Sequence, residues 1–219
     1  MKNIHALILG ATGSTGQELL NLILEDSSYS KVSIFVRRKF SIEHQKLTIH
    51  QIDFSRLKDY KRLINGDILF SAFGTTLKDA GSKSQQYLVD FTYQYEFAKM
   101  ASDNGINHFS LVSSVGANER SFFFYPKIKG ELEQAVKKLP FKKIQIFQPP
   151  MLIRQPELVR NGERIGTRVF NLLNKIGLLK SQKPLSVSFL AKKMISETKS
   201  EKVLGIKTYK PKDIISGKL

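Results

Sequence analysis

The chain has 219 residues, enough for one α/β core, and no cysteine, which excludes disulfides, thiolate metal sites and a cysteine nucleophile. A formal net charge of +16 raises nucleic acid as a partner, yet the lysines are spread along the chain without an arginine-rich arm, helix-turn-helix spacing or aromatic RNA-binding pattern. No stretch stays apolar for ~18 residues and the N-terminus runs into glycines rather than a cleavage site, so a cytoplasmic protein with no membrane span is expected.

Ile4 to Leu9 is an apolar run that stops at Gly10, and a helical pattern follows with Leu19, Leu20, Leu22, Ile23 and Leu24 inward. Val32 to Val36, Leu47 to Ile52 and Ile68 to Phe73 read as three further buried strands, separated by helical patterns or polar loops. Apolar positions between Ser84 and Asn104 predict one long helix closed by Asn104-Gly105. A fifth strand is expected at Phe109 to Val112, a helix from about Phe123 to Leu139, and a sixth strand at Ile144 to Phe147, ended by Gln148-Pro149-Pro150. Beyond Pro150 the pattern changes. Gly162 and Gly166 precede an amphipathic run (Val169, Phe170, Leu172, Leu173, Ile176), then Pro184 and a helix to about Thr198. The whole chain, 1–219, is expected to be a single doubly wound parallel-sheet Rossmann domain, with about 150–219 forming a small helical and loop cap on the substrate side.

Gly10-Ala-Thr12-Gly13-Ser14-Thr15-Gly16 lies directly after the first strand and opens the first helix. There a dinucleotide fold needs one glycine for the turn, a second for backbone approach to a pyrophosphate and a third for helix–strand packing. The N–H groups at the helix start face the negative charge. No lysine followed by serine or threonine comes after the turn, so a P-loop is excluded. The second strand ends in Arg37-Arg38-Lys39 where an NAD-preferring fold would place an acidic residue, which favours a 2'-phosphate and hence NADP(H). The competing explanation is a basic loop on a basic protein. Asp53 and Phe54 after the third strand, Phe73, Gly74 and Thr75 after the fourth, and Ser113 and Pro149 after the fifth and sixth complete the cofactor candidates by their strand-end positions.

Tyr125 and Lys129, four apart in a helical segment, project from one face. A phenol, with a pKa of about 10, is a poor proton carrier at neutral pH unless an ammonium stabilises its phenolate. Ser113-Ser114 ends the fifth strand, where a hydroxyl can hold a substrate oxygen as hydride moves. Phe122, Phe123 and Phe124, just before Tyr125, are expected on the core face of the helix. The four histidines show no metal-ligand spacing, and no metal is expected.

These segments together resemble the atypical short-chain dehydrogenase/reductases, and more closely the family of the Tat-interacting oxidoreductase-like protein. The resemblance rests on the glycine turn, Arg37-Arg38-Lys39, Phe73 to Thr76 with Ala80-Gly81, His108 to Ala117, and Tyr125 to Glu133. It implies a Rossmann domain that binds NADPH, with Ser114 or its neighbour Ser113, Tyr125 and Lys129 as the Ser-Tyr-Lys set. Two functions follow: an oxidoreductase acting on a small carbonyl or alkene, or a non-catalytic NADP(H)-binding regulator that reports the cofactor state to a protein partner. A homodimer is compatible with either. The short C-terminal part disfavours a sugar-nucleotide epimerase.

Overall fold

The computed structural model describes residues 3–153, 184–200 and 204–216. Among these residues nine strands form: β1 (Ile4–Leu9), β2 (Tyr29–Val36), β3 (Leu47–Gln51), β4 (Ile68–Ser71), β5 (His108–Val112), β6 (Lys143–Phe147), β7 (Leu152–Ile153), β8 (Leu185–Ser186) and β9 (Gly205–Tyr209). The helices are α1 (Ser14–Glu25), α2 (Leu77–Ala80), α3 (Lys83–Tyr87), α4 (Tyr93–Asp103), α5 (Phe124–Val136), α6 (Val187–Lys199) and α7 (Pro211–Ser216). Seven strands make one sheet in the order β3-β2-β1-β4-β5-β6-β9, with every neighbour parallel. This is a Rossmann-like doubly wound sheet. The order reverses between β1 and β4, which opens a crevice at the carboxyl ends of the strands.

The strands are apolar on both sides because both sides are covered. Ala6, Ile8, Val32 and Ile34 face α1 and α6, where Leu19, Leu20, Leu190 and Met194 are fully buried. Leu7, Leu9, Phe35 and Leu69 face the opposite way, toward α4, α5 and a 3-10 segment at Phe54–Leu63, through Phe54, Phe97 and Leu132.

The long helix expected at 84–104 is broken by a π turn at Leu88–Thr92 between α3 and α4. The freed carbonyl of Asp90 accepts from Gln94 Nε2 at 2.9 Å, and Gln94 Oε1 accepts from Ser71 Oγ at 2.9 Å. A 3.6-residue pattern cannot register the one extra residue in such a turn. The expected end holds: Gly105 has φ +85°, and Ile106 N–H returns to the Ala101 carbonyl.

Phe122 to Phe124 correct the expectation of a core face. Phe122 and Phe123 are exposed and Phe124 is half-buried, with Lys83 Nζ 5.4 Å from its ring centre. Phe123 is the extended N-cap residue and α5 starts only at Phe124, so helical spacing turns Ile128, Leu132 and Val136 inward instead. In the tail, the amphipathic run Val169 to Ile176 with Gly162 and Gly166 lies outside the described residues. Of the rest of 150–219, α6 packs on α1 and β9 extends the main sheet beside β6. The edge strand β9 was not expected because it buries only Tyr209 and so has no apolar signature.

A polar cluster ties this edge down. Lys143 Nζ donates to the carbonyls of Glu197, Thr198 and Ser200, closing the end of α6, while Gln145 Nε2 donates to the Glu197 carbonyl and the Tyr209 hydroxyl. His108 Nε2 lies 2.8 Å from Gln145 Oε1, and burial pushes the His108 pKa down to about 4. The unfolded chain takes up this proton first, near pH 6.5, so the stability His108 contributes is complete above that pH and is lost as the pH falls through about 4. Urea midpoints should therefore drop between neutral pH and pH ~4.5 by less in His108→Gln than in the wild type. An equal drop in both would show that His108 does not govern this loss.

Candidate functional site

The glycine turn fills the crevice at the reversal point. Gly10 has φ +90°, and a Cβ there would sit 2.6 Å from the Ala72 carbonyl at the end of β4. At Gly16 it would sit 2.0 Å from the Gly10 oxygen. Both positions are closed to side chains by the protein's own packing. Gly13 differs: it has φ −88°, and a Cβ there would meet nothing nearer than the Gly10 oxygen at 3.4 Å. The fold does not require a glycine at 13, and its lack of a side chain leaves room beside the start of α1. Its N-cap residue, Gly13, has no side chain with which to cap that helix end. Thr12 is exposed, Ser14 is half-buried and Thr15 is buried. A helix N-terminus with this cradle fits the pyrophosphate of a dinucleotide.

Arg37, Arg38 and Lys39 are exposed at the carboxyl end of β2. Arg37 shares an open depression with Gln51, Ile52, Asp53 and Tyr60. The Asp53 carboxylate accepts from Ser55 N and Ser55 Oγ at 2.9 and 2.7 Å, and these bonds hold its pKa below the usual value. The ring of Phe54 is buried and stacks on Phe73 at 5.0 Å, so both rings brace the floor between β3 and β4.

The Tyr-Lys pair stands on α5, one strand along. Tyr125 is 41% exposed, whereas Lys129 is 3% exposed with its Nζ 5.8 Å from the Tyr125 ring centre. Lys129 Nζ also lies 2.9 Å from Asp90 Oδ1, reached from the π turn. Burial by itself would lower the Lys129 pKa, but electrostatic attraction to Tyr125 and to the Asp90 carboxylate outweighs it and raises it, so the group is an ammonium. Asp90 Oδ2 accepts from Thr75 N at 3.1 Å, which fastens the loop after β4 to the same pair.

Ser113 and Ser114 point to different partners. Ser113 is buried, and its hydroxyl donates to Glu133, which also accepts two bonds from Gln148 Nε2. Ser114 is half-buried, and its hydroxyl reaches only the carbonyl of Val115 at 3.2 Å. The backbone of the loop is fixed: Val115 N–H donates to the Pro149 carbonyl and Asn118 N–H to the Pro126 carbonyl. Gly130 lets this loop cross α5, since a Cβ there would lie 2.2 Å from Glu119 N. The fold thus gathers the glycine turn, the basic end of β2, the loop after β4 and the Ser-Tyr-Lys set along one sheet edge.

Two members of this cluster were not singled out from the sequence. Glu133 is legible in hindsight, one helical turn past Lys129 on the same face; Asp90 is not, because only the π turn brings it to Lys129. No group of three or more His, Asp and Glu that could hold a metal ion occurs among the described residues. No helix among them is long and apolar enough to cross a membrane.

The unequal crowding of the glycines is testable through stability. Gly16→Ala should destabilise the chain by several kcal/mol, roughly 3 or more, whereas Gly13→Ala should stay within about 1 kcal/mol in urea unfolding. Equal losses would contradict the vacancy at Gly13.

The comparisons with known proteins agree with this geometry. A family model described as NAD(P)H-binding matches residues 10–141. Rat Protein HTATIP2 is 36% identical over 177 residues, 79% of this chain and 73% of the relative. Protein FMP52-1, mitochondrial, of Scheffersomyces stipitis is 33% identical over 194 residues, 85% of this chain and 80% of the relative. Among solved structures, a short-chain dehydrogenase from Burkholderia cenocepacia in complex with NADP superposes with TM-score 0.65 at 14% identity, over 94% of this chain and 88% of that one. The Bordetella bronchiseptica enzyme WbmH in complex with NAD+ gives TM-score 0.71 at 14% identity, over 94% and 75%. The fungal relatives correct the expected cytoplasmic location, for they are named as mitochondrial proteins. A missing apolar stretch does not distinguish one aqueous compartment from another, which is why the sequence misled on this point. With the glycine cradle, the parallel sheet and these relatives taken together, the chain belongs to the NAD(P)H-binding family and has the fold of the short-chain dehydrogenases.

Proposed function

We infer that the chain is an NADPH-dependent oxidoreductase acting on a small carbonyl or alkene compound. The observation that carries this reading is a buried ammonium, Lys129, beneath a half-exposed phenol, Tyr125, at the strand edge that also bears the glycine cradle. A surface Tyr-Lys pair would not need a desolvated lysine with its own counterion. In this reading Gly10, Thr12, Gly13, Ser14, Thr15 and Gly16 hold the pyrophosphate, and Arg37 and Arg38 hold the 2'-phosphate. Asp53 and Phe54 lie at the adenine. Phe73, Gly74 and Thr75 follow the ribose, and Ser113 and Pro149 border the nicotinamide side.

The nicotinamide, when bound, supplies or accepts the hydride. Ser114 orients the substrate oxygen through its hydroxyl, which among the described residues bonds only a backbone carbonyl, that of Val115. Tyr125 moves the proton at that oxygen, and the Lys129 ammonium stabilises the phenolate it leaves while donating to the ribose. Exposure of Tyr125 suits contact with an incoming molecule, and burial of Lys129 makes its field stronger than it would be in water.

Two experiments test this. In the double variant Arg37→Ala, Arg38→Ala, NADPH affinity should fall about tenfold or more while NADH affinity changes little, read by nicotinamide fluorescence. Equal losses would remove the basic loop from 2'-phosphate recognition. Tyr125→Phe should bind NADPH nearly as the wild type does and lose about a hundredfold or more in turnover of any carbonyl substrate found by screening. Full turnover in that variant would exclude the tyrosine as proton carrier.

A further inference from the structure

The 3-10 segment Phe54–Leu63 joins the carboxyl end of β3 to the amino end of β4, so its two ends serve opposite edges of the sheet. Its start lies at the cofactor crevice, and its last turn lies beside the end of α4, which leads into the start of β5. There Lys58, Asp59, Lys61, Arg62 and Asn104 line an open depression of about 520 Å³. The charges around it are sorted. Arg56 engages the Asp59 carboxylate at 2.6 Å, and Lys99 engages Asp103 at 2.9 Å, so the flanking cations already have acids. Lys58, Lys61 and Arg62 are exposed and pair with no carboxylate among the described residues. Nor does α4 need them as caps, since the carbonyls of Met100, Ala101 and Ser102 accept from the N–H groups of Asn104, Ile106 and Gly105. The carbonyls of Lys61 and Ile64 accept from Asn104 Nδ2 at 2.8 and 2.6 Å, and the Arg62 carbonyl accepts from Asn65 Nδ2 at 3.0 Å. These bonds fasten the segment to α4 and cover acceptors that would repel an anion.

We propose that this depression is a second anion site, at the sheet edge opposite the cofactor crevice, for a small ligand that carries adjacent phosphates, an oligophosphate or a nucleotide. Three free cations around one bounded space concentrate positive potential there. Lys58 and Lys61 are eclipsed by the three-residue period of a 3-10 turn, and Arg62 follows directly. Two point charges side by side with a forked guanidinium suit neighbouring phosphate groups better than a single carboxylate. A depression of this volume is the size of a small-molecule site. A nucleic-acid strand fits less well, because it needs free charge spread along a path, and here Arg56 and Lys99 on either side are already paired.

The test is a calorimetric titration of the full chain with tripolyphosphate at about 50 mM salt, with and without saturating NADPH. Three proteins are compared: the wild type, the triple variant Lys58→Ala, Lys61→Ala, Arg62→Ala, and a control, Lys210→Ala, Lys212→Ala, which removes two exposed cations elsewhere. The wild type should bind a single equivalent that NADPH does not displace. The triple variant should lose about tenfold or more in that affinity, while the control stays within about twofold. Absence of binding in the wild type would overturn the proposal, and so would equal losses in the triple variant and the control, which would mean that the whole basic surface attracts the probe. Complete displacement by NADPH would overturn it too, since the probe would then sit in the cofactor crevice. A single-stranded oligothymidylate that competes with tripolyphosphate, and binds more tightly as it lengthens, would overturn it in favour of a nucleic-acid surface. Should the triple variant not fold, Lys61→Ala and Arg62→Ala singly carry the same comparison: a loss in each supports the site, and wild-type affinity in both removes it. If the chain does not bind NADPH, the cofactor reading fails by itself, and the titration without NADPH still decides this site through the variants.

Discussion

A lysine ammonium removed from water is costly unless an opposite charge lies against it, and the pairing of Lys129 with Asp90 is the constraint around which this site is arranged. To supply that charge the helix after β4 must carry a π turn, and the turn must be held by Gln94 and Ser71. A Cβ at residue 74 would crowd Asp90 Oδ1 at 3.0 Å, so the glycine there lets the loop after β4 lie close over the pair. To keep the loop after β5 across the start of α5, Gly130 must lack a side chain as well. Each concession in local structure serves one small volume at the carboxyl edge of the sheet.

The second dependence is steric. Parallel strands in this order leave a crevice between β1 and β4, and the crevice is only as wide as Gly10 and Gly16 allow. Those two glycines are explained by packing inside the protein. Gly13 is not, and this difference separates a tight turn that merely joins strand to helix from one shaped to receive a ligand. The basic end of β2 sits beside this crevice, in a chain whose positive charge draws anions toward it generally.

Much of this was legible in the residues. Short apolar runs that stop at turn residues marked six strands of the main sheet, and the glycine turn marked the step from the first strand into the first helix. What escaped had physical reasons. Strand β9 hides because an edge strand that buries only Tyr209 carries no apolar pattern. Phe122 and Phe123 misled because apolarity alone suggested burial, while the helix that would have turned them inward begins one residue later. Asp90 could not be foreseen, since its meeting with Lys129 spans 39 positions and depends on a break in helical period. Glu133 was within reach of helical spacing, although nothing in that spacing shows that it holds Ser113 rather than solvent.

The central claim is that the space at Gly13 and the start of α1 receives the pyrophosphate of NADP(H). The most direct measurement is a titration of the purified chain with NADPH and then NADH, followed by nicotinamide fluorescence, beside the Gly13→Asp variant. Saturable binding that is tighter for NADPH and disappears in the variant is the predicted result. Binding of neither nucleotide, or undiminished binding with an aspartate at position 13, would contradict the account.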